Sequence, residues 1–303
     1  MHPIDQVQLS FDSKGLMVLN VILGLIMFGV ALDLSAKDFR ELARRPIAPA
    51  VGLVAQFFVL PAVAFGLSRL LAPTPSIALG MILVASCPGG NVSNFITHFA
   101  RGRTTTSVGM TAVSTLAAVV MTPLNFVFWG SLASDTKAMV SDVALDPVSM
   151  LGTIALLLGV PIFLGMMTAA HYPRVAARLR KPFQVASMLF FAAFVFAAFH
   201  ANLDYFLRFI GLVFMPVLVM NAVALFTGWG AARAAALPAP DRRAVAIEVG
   251  IQNSGLALIL AFDFLDGIGG IAVVAAWWGI WHILAGLSLG AFWRRIPTGE
   301  EVV

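Results

Sequence analysis

The side chains best suited to chemistry in this chain lie in the stretch 246–256, which reads AIEVGIQNSGL. Glu248, Gln252, Asn253 and Ser254 occur there inside an apolar segment that is long enough to cross a bilayer. A charged side chain at the bilayer centre costs at least about 2.5 kcal/mol and usually marks function. Two glycines in the same stretch predict a helix that is interrupted at this depth. Irregular backbone is tolerated there only if it is buried in protein or lines a wet cavity.

A second stretch, 87–94, reads CPGGNVSN and has the same character. Pro88 removes a helical hydrogen bond, and Gly89 and Gly90 weaken the helix further. Two interrupted apolar segments at corresponding places in the two halves of a chain are typical of the binding site of a secondary transporter.

The composition defines the elements that must position these residues. Hydrophobic residues make up 60% of the 303 residues and charged residues only 11%, against roughly 25% in soluble domains. The single cysteine excludes a disulfide within the chain and a multi-cysteine metal site. No basic run is long enough to indicate nucleic-acid binding. We therefore predict an all-α polytopic membrane protein.

The length accommodates about nine transmembrane spans, since a span needs about 20 residues and a loop adds a few more. Residues 1–14 lack a basic region followed by a cleavage site, so we expect no signal peptide. We place the spans at 15–34, 47–70, 76–99, 105–131, 148–170, 183–201, 206–230, 243–263 and 268–292.

The distribution of basic residues predicts the orientation in the membrane. With the N-terminus outside and the spans alternating, 15 of the 19 basic residues fall inside and 4 fall outside. The reverse orientation would invert this ratio. We expect a multi-pass protein of the cell's inner (plasma) membrane, with the N-terminus outside and the C-terminus in the cytoplasm.

The interrupted spans are the third and the eighth, which run in opposite directions and so predict inverted-topology repeats. In the third span we expect one half-helix over 77–86 and a second over 92–100, with Asn91 as N-cap. The amides and the dipole at the start of that second half favour an anion. In the eighth span, the carbonyls around 249–251 are hard oxygen ligands for an alkali cation, together with Glu248 and Gln252.

Several motifs together resemble the bile acid:sodium symporter family across nearly the whole chain. They are PGG followed by Ser93 and Asn94, E-x-G-x-Q-N at 248–253, LIMFGVALDLSAKDF at 25–39, QF-x3-P beginning at Gln56, and S-x3-T from Ser107 to Thr111. Each motif is weak alone, but they occur in the right order on the right spans. The resemblance is to the nine-span form of the family.

The resemblance implies two sodium sites that share one carboxylate. The first would be formed by Ser93, Asn94, Ser107, Thr111 and Glu248. The second would be formed by Gln56, Glu248, the carbonyls of Val249 and Ile251, and Gln252. Ser107 and Thr111 are four residues apart and share a helix face, as do Glu248 and Gln252.

The resemblance also implies where the substrate binds and how the chain is divided. Gly90, Asn91, Asn253 and Ser254 would face the substrate, and Asn91 replaces the threonine that is usual in the family. A core domain with two crossing broken helices would comprise 47–131 and 206–263. A panel domain would comprise 15–46, 148–201 and 268–292, within one transmembrane unit over 1–303.

These observations favour sodium-coupled symport of an organic anion by alternating access. The expected partners are sodium, the lipid bilayer and a small organic anion, either a bile acid-like steroid or a carboxylate resembling pantoate or a keto acid. We expect no protein partner.

The alternatives are a proton-coupled organic anion carrier that uses Glu248, a metalloid carrier that uses Cys87, and a passive channel. Glu248 can also be read as a structural carboxylate. An intramembrane enzyme is disfavoured, because no second carboxylate or nucleophile–base pair shares the depth of Glu248.

Overall fold

The chain folds into helices, most of which lie near the predicted spans, although α9 begins at Pro173 and not at 183. A computed structural model describes residues 2–7, 13–33, 44–142, 152, 154–201 and 203–298, and within these ranges no strand is present. The helices are α1 (Pro3–Gln6), α2 (Ser13–Asp33), α3 (Ile47–Leu71), α4 (Pro75–Ser86), α5 (Val92–Phe99), α6 (Thr104–Gly130), α7 (Ser134–Asp142), α8 (Ala155–His171), α9 (Pro173–Ala201), α10 (Leu203–Ala234), α11 (Ala239–Gly250), α12 (Ser254–Asp263) and α13 (Gly269–Arg294).

The helical architecture agrees with a membrane protein. In the described part of the chain, α3, α6, α10 and α13 are each long and apolar enough to cross a membrane. Further apolar segments of 10–17 residues lie in α2, α4, α8 and α12. The all-α class is therefore confirmed, while the nine crossings and the inverted repeats stay predictions.

Both predicted interruptions are present. The third predicted span consists of α4 and α5, which are separated by residues 87–91. The eighth consists of α11 and α12, which are separated by residues 251–253. Side chains throughout α4 and α12 are buried, so these half-helices lie inside the protein and do not face lipid.

Helix α13 packs directly on both interrupted spans. A Cβ atom on Gly80 of α4 would lie 2.8 Å from the Cβ of Val274, and one on Gly286 would lie 2.8 Å from Ile251. Close approach of small residues is how transmembrane helices maximise their van der Waals contact. Small residues on both sides thus bring α13 against α4 and against the break at Ile251, while the division into a core and a panel domain stays a prediction.

A π-helical turn at Ala55–Val59 shapes α3 beside the interruptions. Pro61 has no N–H, so the carbonyl of Phe57, four residues earlier, loses its helical donor. Asn125 of α6 replaces that donor with its Nδ2, 2.9 Å from the Phe57 oxygen. The irregular turn is thus stabilised from a neighbouring helix, and Gln56 lies buried within it.

The short helix α1 connects the starts of α4 and α13. Asp5 accepts a hydrogen bond from the Ser76 amide at 3.2 Å. The Gly269 amide donates to the carbonyl of Val7 at 2.7 Å. Both helix starts thereby gain acceptors for amides that have no partner within the helix.

The contact of α10 with α11 predicts a position-specific cost for one added methyl group. In a Gly228→Ala variant the new Cβ would lie 2.7 Å from the Val245 carbonyl oxygen and 2.9 Å from the Ala246 Cα. Both are backbone atoms, so we expect a loss of about 1–3 kcal/mol and a lower thermal unfolding temperature in detergent.

The matched control is Gly230→Ala on the same helix, where an added Cβ meets nothing within 4 Å. This variant should be neutral or slightly stabilised, since alanine favours a helix over glycine by up to about 1 kcal/mol. Equal unfolding temperatures for the two variants would contradict the packing of α10 on α11.

Candidate functional site

The two interruptions pair with each other through their backbones. The Gly90 amide donates to the Ile251 carbonyl at 2.7 Å, and the Asn253 amide donates to the Pro88 carbonyl at 2.8 Å. Gly89 and Gln252 form the antiparallel bridge between these bonds. The two extended segments therefore cross and satisfy polar groups that helical breaks would otherwise leave unpaired in the interior.

The glycines in the first break are required by this close crossing. A Cβ on Gly90 would lie 2.9 Å from the Gln252 carbonyl oxygen. A Cβ on Gly89 would overlap the carboxylate of Glu248. The PGG motif thus brings one backbone against the other and leaves space for the carboxylate.

Glu248 is fully buried and accepts hydrogen bonds from three hydroxyl groups. Ser93 Oγ and Ser107 Oγ lie 2.5 and 2.8 Å from its Oε2, and Thr111 Oγ1 lies 2.5 Å from its Oε1. Within the described residues, neither arginine nor lysine forms an ion pair with it. The carboxylate is therefore surrounded by neutral donors from α5 and α6.

The same cluster holds more oxygen acceptors than protons. Asn94 Oδ1 lies 2.8 Å from Ser107 Oγ and 3.2 Å from Thr111 Oγ1. Each of these hydroxyls has one proton, and each also contacts Glu248, so it cannot donate to both oxygens at once. Oxygen lone pairs consequently face one another, and this is an arrangement that a bound cation stabilises.

Thr97 extends the cluster and was missed from the sequence. Its Oγ1 lies 3.3 Å from Ser107 Oγ, and the residue is fully buried. The spacing could have identified Thr97, because Thr97 follows Ser93 by four residues and the two side chains share one face of α5.

A second set of oxygens lies on the other side of the break, around two glutamines. Gln56 Nε2 donates to Gln252 Oε1 at 2.7 Å and to the Cys87 carbonyl at 2.9 Å. Gln252 Nε2 donates to the Val249 carbonyl at 2.6 Å. Gln56 Oε1 is buried without a hydrogen-bond partner among the described residues, as an oxygen reserved for a cation would be. The family resemblance associates Gln56, Gln252 and the carbonyls of Val249 and Ile251 with Glu248 in a second site.

Asn221 of α10 holds the second break and was also missed. Its Nδ2 donates to the Gly250 carbonyl at 2.8 Å, and its Oδ1 is buried without a partner in the described part of the chain. Asn221 occurs in an otherwise apolar helix, far from any of the motifs, so only the fold brings it to the break.

The two asparagines at the crossing have capping roles that differ from the prediction. Asn91 occupies the position before α5, but its side chain makes no capping hydrogen bond. Asn253 instead caps α12, since its Oδ1 accepts from the Leu256 amide at 3.0 Å. Ser254 is buried against α13, where a Cβ on Gly279 would lie 2.9 Å from its Oγ. Gly90 lies at the crossing, where an added Cβ would be 3.5 Å from the Asn253 amide nitrogen, and Asn91 and Ser254 are the next residues along each chain segment. A role of these four residues toward a substrate stays a prediction.

Both α5 and α12 begin at this crossing, so their positive dipole ends converge on it. The cation-favouring oxygens lie just beside these two helix starts. The arrangement can hold positive ions and a negative group as neighbours.

Comparisons with known proteins agree with this chemistry. The model of the Sodium Bile acid symporter family matches residues 20–209. The uncharacterized sodium-dependent transporter YocS of Bacillus subtilis (strain 168) is 34% identical over 277 residues, which are 91% of this chain and 83% of that protein. The probable sodium/metabolite cotransporter BASS2, chloroplastic, of Oryza sativa subsp. japonica is 27% identical over 92% of this chain and 65% of its own length.

A mammalian relative is matched over a smaller share of its length. Sodium/bile acid cotransporter 5 of Rattus norvegicus is 29% identical over 81% of this chain, and the match spans 55% of the rat protein. The family match covers well over half of the chain, and the match to the bacterial relative includes both interruptions. The chain therefore belongs to the sodium bile acid symporter family of sodium-dependent membrane transporters.

Proposed function

We propose that this chain is a sodium-coupled symporter that takes up a small organic anion by alternating access. The observation that carries the proposal is the surplus of oxygen acceptors around Glu248 at the crossing of the two broken helices. A symporter needs a site at which ion binding changes the affinity for its substrate. At this crossing, oxygen atoms suited to a cation lie next to helix starts suited to an anion.

The first sodium ion would be held by Ser93, Asn94, Ser107, Thr111 and Glu248. Oxygen ligands without thiolate or imidazole suit a hard cation. The ion would accept the lone pairs that now face one another and would neutralise the buried carboxylate.

The second ion would be held by Gln56, Gln252, the Val249 and Ile251 carbonyls, and Glu248. The partnerless Gln56 oxygen supports this assignment. The shared Glu248 couples the two sites, because its single negative charge is balanced by whichever ions are bound. Asn221 positions the backbone between the two carbonyl ligands.

The anionic group of the substrate would lie at the starts of α5 and α12. Helix N-termini offer amide donors and a favourable dipole for an anion. The Asn253 side chain uses its oxygen for capping, which leaves its Nδ2 as a donor toward the substrate. A small carboxylate resembling pantoate or a keto acid, or a bile acid-like steroid, supplies the required negative group.

Transport would follow from movement of α2, α8 and α9 against the unit that contains the crossing. The asymmetry of basic residues supports an N-terminus outside, a C-terminus inside and a location in the plasma membrane. Proton coupling through Glu248 is the alternative, but the relatives named above are described as sodium-dependent or sodium-coupled transporters. Accumulation in proteoliposomes under a sodium gradient, compared with a proton gradient, tests the choice directly.

Substitution Glu248→Gln should abolish the stabilisation of the protein by sodium. The carboxylate is the only anionic ligand proposed for either ion, and breaking a buried charge interaction costs about 3–5 kcal/mol. Wild-type protein should unfold at a higher temperature in sodium than in potassium, whereas the variant should unfold at the same temperature in both salts.

The control for this experiment is Asp204→Asn, which removes an exposed carboxylate at the start of α10. It should keep the full difference between sodium and potassium. If Glu248→Gln also keeps that difference, the shared carboxylate model is wrong.

Sodium and the organic anion should increase each other's affinity by one common factor, within the usual coupling range of about 1–3 kcal/mol. The variant Asn253→Ser retains a capping oxygen but loses the amide donor, so it should weaken anion binding and largely spare sodium binding. Calorimetric titration of pantoate as probe, in sodium and in potassium, measures both effects. Equal pantoate affinity in the two salts would refute the neighbouring-site arrangement.

Cysteine labelling tests the topology. Ala138 in α7 and Ala177 in α9 are both exposed, and the native Cys87 is buried. An impermeant thiol reagent should label Ala138→Cys in intact cells and should label Ala177→Cys only after permeabilisation. Wild-type protein is the unlabelled control, and the opposite pattern would overturn the assigned orientation.

A further inference from the structure

Arginine side chains gather where α5 and α13 end and α6 and α11 begin. We define the arginine corner as the surface formed by Arg101, Arg242, Arg294 and Arg295 around Arg243. It lies at one end of the helices that carry Ser93 and Glu248, and it contributes nothing to the ion and substrate site described above.

Arg243 forms the base of this corner. Its side chain is buried, and its Nη1 and Nη2 donate to the carbonyls of Ala100 and Ile296, each at 2.8 Å. These carbonyls follow the last turns of α5 and α13, where backbone acceptors lack helical donors. The guanidinium carbon also lies 5.9 Å from the ring centre of Trp293. Arg243 thus joins the ends of α5 and α13 through backbone carbonyls, and it has no carboxylate partner among the described residues.

Within the described residues, the surrounding arginines add positive charge that no ion pair balances. The positive charges of Arg101 and Arg242 both repel that of Arg243. Asp241, which is next to Arg242 in the chain, already accepts hydrogen bonds from Arg103 Nε at 3.1 Å and from Thr106 Oγ1 at 2.6 Å. Arg101, Arg242, Arg294 and Arg295 form no ion pair within the described ranges.

The start of α6 adds to the positive potential of the corner. The Arg103 amide donates to the Pro240 carbonyl at 3.0 Å, which fixes this helix start next to α11. The positive end of a 27-residue helix therefore lies next to the start of α11, which carries Arg242 and Arg243. Backbone donors together with guanidinium groups are the chemistry that recognises a phosphate.

Exposed aromatic side chains border the arginines. Phe95 is 62% exposed and stacks on Phe99, with ring centres 6.5 Å apart. The Arg294 guanidinium carbon lies 5.2 Å from the ring centre of Phe99. Phe292, two residues earlier on α13, is 59% exposed. A positive surface therefore continues directly into an apolar one, as a ligand with a phosphate and acyl chains requires.

We propose that the arginine corner binds an anionic phospholipid, with its phosphate headgroup between Arg101, Arg242 and Arg294 and its acyl chains along Phe95 and Phe99. Clusters of basic residues at the ends of transmembrane helices are a known way of recognising such lipids. On the proposed topology the lipid belongs to the cytoplasmic leaflet. The bound lipid would hold α5 against α13 and α11, and so steady the helices that carry the oxygen cluster.

Native mass spectrometry of the full chain in detergent tests this site, with phosphatidylglycerol and phosphatidylcholine as probes. Wild-type protein should retain phosphatidylglycerol in preference to phosphatidylcholine. The double variant Arg101→Ala/Arg294→Ala should bind phosphatidylglycerol about tenfold more weakly or worse, since each arginine near a lipid surface contributes about 1 kcal/mol. The single variant Arg101→Ala gives a smaller loss in the same direction and serves if the double variant is unstable.

The matched control is Arg174→Ala/Arg178→Ala, which removes two exposed arginines from α9. It should bind phosphatidylglycerol as the wild type does. Equal losses in the two double variants would mean that overall charge governs binding, and the proposal would be wrong.

Two further results would also overturn the proposal. Full displacement of the lipid by inorganic phosphate would show that the corner recognises free phosphate without a need for acyl chains. Lipid binding that occurs only after removal of residues 299–303, which include Glu300 and Glu301, would identify the chain's own acidic end as the occupant. A failure of sodium coupling would leave the lipid measurement unaffected, because the test uses no transport.

Discussion

Burial of one carboxylate is the constraint on which the rest of this structure depends. Glu248 has no exposed surface and no cationic side chain as partner among the described residues. An uncompensated charge in the interior is very unfavourable, so its surroundings must supply donors and ions. Three hydroxyls supply the donors, and they come from two different helices. The requirement to bring α5 and α6 to α11 at one point explains why both interrupted spans meet there.

The crossing of the two breaks solves a second problem, which is unsatisfied backbone at membrane depth. Pro88 and the glycines after it interrupt one helix, and the residues around Gln252 interrupt the other. Each break then supplies the hydrogen-bond partners that the other lacks. The same exchange brings two helix starts to one place, so a positive potential for an anion arises beside oxygens for a cation. In the proposed function, this adjacency is what couples ion binding to substrate binding.

The supporting contacts come from side chains that touch neither proposed ligand. Pro61 has no N–H to donate to the Phe57 carbonyl, and Asn125 donates to that carbonyl instead. This bond stabilises the irregular turn that contains Gln56. Asn221 holds the Gly250 carbonyl between the two carbonyl ligands. Small residues such as Gly286 let α13 approach both interrupted spans closely, at Ile251 in one and Ile96 in the other. Each of these contacts joins elements that are distant in the chain, so the geometry of the site is a property of the assembled bundle.

The sequence by itself determined the membrane class, the positions of the helices and both interruptions, because hydrophobicity, proline and glycine act locally. It also singled out Glu248, since a carboxylate in an apolar segment needs no structure to be recognised, and the family motifs supplied its neighbours. Tertiary structure alone decided that α13 packs on the broken helices and that Asn221 holds the break. These features depend on how helices approach one another: the bond from Gln56 to Gln252 joins residues 196 positions apart. Periodicity and local propensity carry no information about such a contact, which exists only once the helices have packed.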